Sequence, residues 1–176
     1  MSEAKETVLN IEDEMNVEET EHEVMQQLLT FTVNQDEYAI DIMCVKEIRG
    51  WNGATRLPNS PEFVLGVVNL RGIIIPIFDL KLRFNKGHTE ATSNHVVIIV
   101  NVNQYTIGIL VDAVSDILYV NEKNIRPAPS GEKNIDEAFV NGLLSKEEQV
   151  VVILDLIALF DEKVLKSAIK FDNDKS

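Results

Sequence analysis

The sequence predicts a mainly β protein made of two similar small barrels, and three features carry that expectation. Short runs rich in β-branched residues recur along the chain, most of them bounded by Gly, Asn, Asp or Pro. One long segment repeats without a gap at a constant offset of 76 residues. The 176 residues are 45% hydrophobic, enough for one compact domain or two very small ones sharing a core.

The first strands are expected at 28–33, where Leu29, Phe31 and Val33 alternate with Leu28, Thr30 and Thr32, and at Tyr38, Ile40 and Ile42. The polar Asn34-Gln35-Asp36 turn joins them into a hairpin. Further strands are expected over 67–70, 73–78, 96–102, 105–111, 140–144 and 150–154. Pro76 lies inside one of them and donates no ladder hydrogen bond, so that strand should be an edge or carry a bulge there. Beyond Phe160, apolar Val164, Leu165, Ala168 and Ile169 fall at helical spacing with Lys163, Lys166 and Lys170 toward the end, which predicts a helix packed on a barrel.

The repeat lays Phe63-Val64-Leu65-Gly66 through Asp79-Leu80 to Phe84 on Phe139-Val140-Asn141-Gly142 through Asp155-Leu156 to Phe160. In each copy a capping residue, Ser60 or Asp136, should open a short helical turn. Gly66 or Gly142 should end it by supplying positive φ, and Asp79 or Asp155 should cap a further short helix. The segments around Tyr38 and Tyr105 also correspond, as do Val45-Lys46-Glu47-Ile48 and Val114-Ser115-Asp116-Ile117. The copies part at one turn: Asn69-Leu70-Arg71-Gly72 stands opposite Ser145-Lys146-Glu147-Glu148, an ordinary solvated charged turn. The division expected is an acidic, disordered tail over 1–26, a first barrel over 27–88, a second over 89–161, and a helix and tail over 162–176.

Composition excludes several functions. Net charge is −13, of which the first 27 residues contribute −8, nine acids against Lys5. No localised basic patch offsets it, so nucleic acid is not an expected partner. Cys44 is the single cysteine, which places the chain in a reducing compartment, and it reads as a small buried hydrophobe. Neither a leader nor an apolar run of the ~18 residues a membrane span needs is visible. His22, His88 and His95 are scattered, and no P-loop, nucleophile elbow or dinucleotide fingerprint occurs, so no enzyme, metal or cofactor is expected.

Five stretches taken together resemble the CheW family of chemotaxis coupling proteins, from about Gln27 to Phe160: Tyr38 to Gly50, Gly66 to Gly72, Ile75 to Leu80, Val111 to Leu118 and Ile125 to Pro129. The resemblance implies two SH3-like five-stranded barrels around a shared hydrophobic core. It also implies a cytoplasmic, non-catalytic adaptor, recruited to receptor arrays at the inner face of the membrane. Its partners would be the cytoplasmic tips of chemoreceptors (methyl-accepting chemotaxis proteins) and the regulatory domain of the histidine kinase CheA. Similar barrel ends could add head-to-tail contacts that close into rings or extend into arrays.

By the same resemblance Val45, Glu47, Arg71, Val96, Gly108 and Ile117 are receptor-binding residues. Arg71 could pair with a receptor carboxylate or cap helix carbonyls. Packing alone is the competing reading for Val45, Val96, Gly108 and Ile117. Arg126 is the kinase-side candidate, in a loop stiffened by Pro127 and Pro129; a rigid surface connection is the alternative. Gly66, Gly142, Asp79 and Asp155 are read as structural. Other readings are a coupling protein of a non-motility chemosensory pathway, and a double barrel binding a small ligand or oligonucleotide, for which Trp51 near Arg49 and Arg56 is the one fitting fragment.

Overall fold

The first hairpin is apolar on both faces because it has two cores to fill. In the computed structural model, which describes residues 23–129 and 137–169, Leu29, Phe31, Val33, Tyr38 and Ile40 enter one large buried cluster. Leu28 and Ala39, pointing the other way, enter a smaller one with Val120, Leu144, Val151 and Ile153. The equivalent hairpin does the same: Ile98, Val100, Val102, Ile107 and Ile109 join the large cluster, while Val97, Ile99 and Leu110 join a third with Ile75 and Ile77. The large cluster is the core shared between two barrels, and each smaller cluster fills one barrel.

Among the described residues ten strands build the barrels: β1 (Met25–Val33), β2 (Asp36–Asp41), β3 (Val45–Gly50), β4 (Val64–Leu70), β5 (Ile73–Asp79), β6 (Val96–Val102), β7 (Tyr105–Val111), β8 (Ala113–Asn121), β9 (Val140–Lys146) and β10 (Gln149–Leu154). One five-stranded sheet runs β8-β1-β2-β10-β9 and the other β3-β6-β7-β5-β4. Shifting each strand number by five, up for β1 and β2 and down for β8, β9 and β10, converts the first order into the second, so the repeat is structural. Single bridges close each barrel, Arg126 to Leu143 in the first and Thr55 to Val67 in the second. These bridges also obey the offset, since Val67 and Leu143 are 76 residues apart.

The barrels are not consecutive in sequence, which corrects the expected division at residues 88 and 89. The three-residue turn Ile42–Cys44, capped by the Asp41 side chain on the Met43 N–H, carries the chain from the first sheet to the second. Asp112 alone carries it back, between β7 and β8. Each repeat therefore lends its hairpin to the barrel of the other, through the parallel pairs β2–β10 and β5–β7. Local alternation reports strands but not partners, so this exchange was not visible in the sequence.

Smaller corrections follow from pairing. β1 starts at Met25, opposite Asn121 of β8, so the ordered region opens two residues earlier than expected. The stretches 45–50 and 113–121 lack a clean apolar run yet are strands, each at the end of its sheet and carrying charged residues. Pro76 is not on an edge: β5 lies between β4 and β7, and the ladder to β7 begins only at Ile77. The bulge is on β4, where the register shifts between Val64 and Gly66. Asp136, the expected cap of the second copy, lies outside the described residues; Glu137–Phe139 is a 3-10 turn, and the first copy has only a turn before Val64.

Gly66 and Gly142 do not end helical turns; both lie inside strands, beside equivalent bulges. Close approach explains both, and Gly66 alone also has the positive φ expected of it, 152°. A Cβ on Gly66 would stand 2.5 Å from the Thr55 carbonyl oxygen, and one on Gly142 would stand 2.4 Å from Ile125 Cγ2. Asp79 and Asp155 cap the short helices α1 (Leu80–Arg83) and α2 (Leu156–Leu159). Helix α3 (Glu162–Ile169) buries Leu165 and Ala168 in the shared core. Arg83 marks the centre of the duplication: its guanidinium lies 4.7 Å from the Phe139 ring and 5.9 Å from that of Phe63, and its Nε donates to the Leu159 carbonyl.

Candidate functional site

The hairpin turn between β4 and β5 puts Arg71 in the left-handed region at φ 52°, followed by Gly72 at φ 87°, and Asn69 Oδ1 accepts from the Gly72 N–H at 2.8 Å. Glu147 and Glu148 have the same kind of backbone, φ 47° and 66°. The turn geometry therefore does not require an arginine. Arg71 Nη1 donates to Glu47 Oε2 on β3 at 3.1 Å, and Arg49 Nε stands 3.7 Å from the other oxygen of Glu47. The Arg71 side chain is 77% exposed, so this pair contributes less than about 1 kcal/mol to stability. Its guanidinium remains available to a partner.

Around the pair runs a seam between the outer strands of the second barrel. One recess of about 160 Å³ is lined by Lys46, Glu47, Leu70, Arg71, Ile73, Ile75 and Thr106. A second, of about 190 Å³, opens beside Arg49 and Trp51, over Val68, Ile77, Val97 and Ile99. Ile48, Ile73 and Ile74 are exposed on the strands that border them. Apolar floors with a charged rim suit side chains of another protein more than a buried small ligand.

The remaining candidates are dispersed. Val45 and Val96 are half-buried against the shared core. Gly108 is buried, and an added Cβ would meet Ile77 Cδ1 at 2.4 Å and Val97 Cγ1 at 2.9 Å, so it packs instead of contacting solvent. Ile117 belongs to the other barrel, on β8 opposite Leu29, and is exposed. Arg126 is exposed just beyond β8, its backbone held by two bonds to Leu143 at 2.9 and 2.7 Å. Of the expected receptor-binding set, the structure joins Glu47 and Arg71 directly and leaves Ile117 on a different face.

Sequence reasoning missed Lys46, Ile73 and Thr106 as neighbours of Arg71, because β3 and the β4–β5 hairpin meet only through barrel closure. It also missed a polar clamp on the first hairpin. Lys86 Nζ bonds Asp36 Oδ2 at 2.6 Å and the Tyr38 hydroxyl at 3.2 Å. Burial on its own would lower the ammonium, but the bonds to Asp36 and Tyr38 outweigh it and raise its pKa. Burial likewise raises Tyr38, against the lowering effect of Lys86. Nearby, Asp112 accepts from the Asn34 N–H at 2.7 Å and stands 3.4 Å from His95 Nε2. Among the described residues no group of three or more His, Cys, Asp or Glu is placed to hold a metal, and no helix is long and apolar enough to cross a membrane.

Two closed five-stranded barrels that exchange hairpins, with open edge-lined recesses, define a double SH3-like β-barrel protein. A family model for the CheW-like domain matches residues 27–164. The chain is 39% identical over 143 residues to a probable chemotaxis protein CheW of Rhizobium etli, covering 81% of this chain and 92% of that one. It is 41% identical over 144 residues to a chemotaxis protein CheW of Klebsiella aerogenes, covering 82% and 84%. Among solved structures, the scaffolding protein TtCheW of Thermoanaerobacter tengcongensis superposes with a TM-score of 0.73 at 33% identity, covering 82% of this chain and 94% of that one. The chain belongs to the CheW-like family of chemotaxis scaffold proteins.

Proposed function

We propose that this protein is a non-catalytic adaptor that links the cytoplasmic tips of chemoreceptors to the regulatory domain of the histidine kinase CheA, within receptor arrays at the inner face of the membrane. The observation that carries the reading is the difference between the two hairpin turns. Equivalent backbones hold Arg71 over a recessed apolar seam in one barrel, and Glu147 and Glu148 on the other. The receptor site is the seam, with Arg71 and Glu47 at its rim, Val45 behind it, and Val96 and Gly108 shaping the barrel that supports it. Ile117 lies too far round the fold to share that rim and serves a separate contact. Arg126, exposed on the first barrel, faces the kinase.

The arrangement favours receptor carboxylates and helix-end carbonyls, which a guanidinium engages with two parallel hydrogen bonds. Signal transfer then consists of a change in relative geometry or affinity across the two contacts, which no bond-breaking chemistry needs to accompany. Sedimentation of a receptor-tip fragment on a solid support, with the kinase regulatory domain and this protein in solution, tests the link. The kinase domain should enter the pellet only when this protein is present. Equal recovery of the kinase domain without it would remove the adaptor role.

A further inference from the structure

The two recesses of the seam are lined by three cations, Lys46, Arg49 and Arg71, against one acid, Glu47. That surplus of positive charge stands out in a chain of net charge −13. The floors are aliphatic and aromatic: Leu70, Ile73 and Ile75 in one recess, Trp51 and Val68 in the other. The chain carries one segment of complementary chemistry. Residues 1–22 hold eight acids and one lysine, interleaved with Val8, Leu9, Ile11, Met15 and Val17.

We propose that this N-terminal segment docks on the seam of its own second barrel and competes there with the partner. The competitive part rests on the receptor reading above; the contact itself does not. Twenty-two residues reach roughly 70 Å when extended, whereas a folded unit of this size is about 40 Å across. A linker of 22 residues spans on the order of 26 Å, which corresponds to an effective concentration in the millimolar range for a tethered site. An intrinsic affinity of about 0.1–1 mM, attainable with a few exposed ion pairs and one aliphatic anchor, therefore keeps the seam occupied half of the time or more. A partner must displace the segment, so its apparent affinity falls about two- to tenfold. Salt weakens the hold, because the Debye length shrinks from about 8 Å at physiological ionic strength to about 3 Å at 1 M.

Trp51 is the only tryptophan and lines the seam, so its indole reports on this site alone. The test compares the full chain with a full-length variant in which Glu3, Glu6, Glu12, Asp13, Glu14, Glu18, Glu19 and Glu21 are changed to the corresponding amides. Proton–nitrogen NMR spectra at low salt should differ at the Trp51 indole, Arg71 and Gly72, and the difference should vanish near 1 M salt. The neutralised variant should also bind a receptor-tip fragment two- to tenfold more tightly at low salt. Unmoved signals at Trp51, Arg71 and Gly72 would overturn the docking, whatever the receptor does. Moved signals with unchanged receptor affinity would uphold the docking and remove the seam as the receptor site. Differences that grow with protein concentration would place the segment on a second copy and overturn the intramolecular contact.

Discussion

The β4–β5 and β9–β10 hairpins are the same object built twice, and they differ where folding makes no demand. Both carry a bulge beside a crowded glycine, both end on a helix-capping aspartate, and both turn through two residues with positive φ. One turn presents Arg71-Gly72 to a recess with an apolar floor, the other Glu147-Glu148 to solvent. Duplication supplies an internal control. A residue preserved between copies answers to the fold, and one that departs at an equivalent, exposed position is free to answer to a partner.

Changes at paired positions break or sharpen this comparison. The largest effect is expected at the glycines. Gly66→Ala forces a Cβ into the Thr55 backbone, which cannot rotate away, and should cost about 3 kcal/mol in urea denaturation. Gly142→Ala meets first the Cγ2 branch methyl of Ile125, a side chain stiff at χ1, and stands 3.1 Å from the Arg126 carbonyl oxygen, so it should cost about 2 kcal/mol. Equal costs would mean that the two bulges are packed alike.

The aspartates come next. Asp79 is fully buried and accepts from the Leu82 N–H and from both the N–H and hydroxyl of Thr89, pinning the segment between the repeats. Among the described residues Asp155 accepts only from the first turn of its helix, at Ile157 and Ala158. Asp79→Ala should lose roughly 2 kcal/mol, as three part-buried donors lose their acceptor, and Asp155→Ala about 1 kcal/mol, a cap alone. Thermal melts of the two variants side by side measure the difference.

The Lys86 clamp exists in one copy and gives a smaller, pH-dependent effect. A lysine raised in the folded state contributes fully below its unfolded value of 10.5 and loses that contribution as pH climbs through the folded value. Tyr38, raised from 10.0 by burial, acts in the same sense. Lys86→Met should therefore cost about 1 kcal/mol near pH 8, and its cost relative to wild type should shrink at pH values above 10.5. A cost that persists unchanged there would assign the effect to the aliphatic stem of Lys86. The smallest effect on stability is expected from charge reversal at the turns, Arg71→Glu and Glu147→Arg, each within roughly 0.5 kcal/mol of wild type.

Much of the fold was legible because its causes are local. Alternation at 28–33 and 96–102, the constant offset and the two aspartates pointed to duplicated small β units. Strand exchange was not legible, because it depends on which strands pair across more than 100 residues, as Glu37 does with Val151. The edge strands β3 and β8 were faint for a related reason: strands with a solvated side carry charges such as Lys46 and Asp116, which dilute the apolar signal. Arg71 stood out in the sequence only against its copy at Glu147. Its ion pair with Glu47, and the recess they border, became visible only once barrel closure brought β3 beside the β4–β5 hairpin.

Calorimetric titration of a receptor-tip fragment into Arg71→Glu and into Glu147→Arg tests most directly whether one turn of the pair is the binding turn. The predicted result is at least tenfold weaker binding for Arg71→Glu, about 1.4 kcal/mol, with Glu147→Arg indistinguishable from wild type and both proteins fully folded. Equal affinity of the two variants for the fragment would contradict the assignment of receptor binding to the seam.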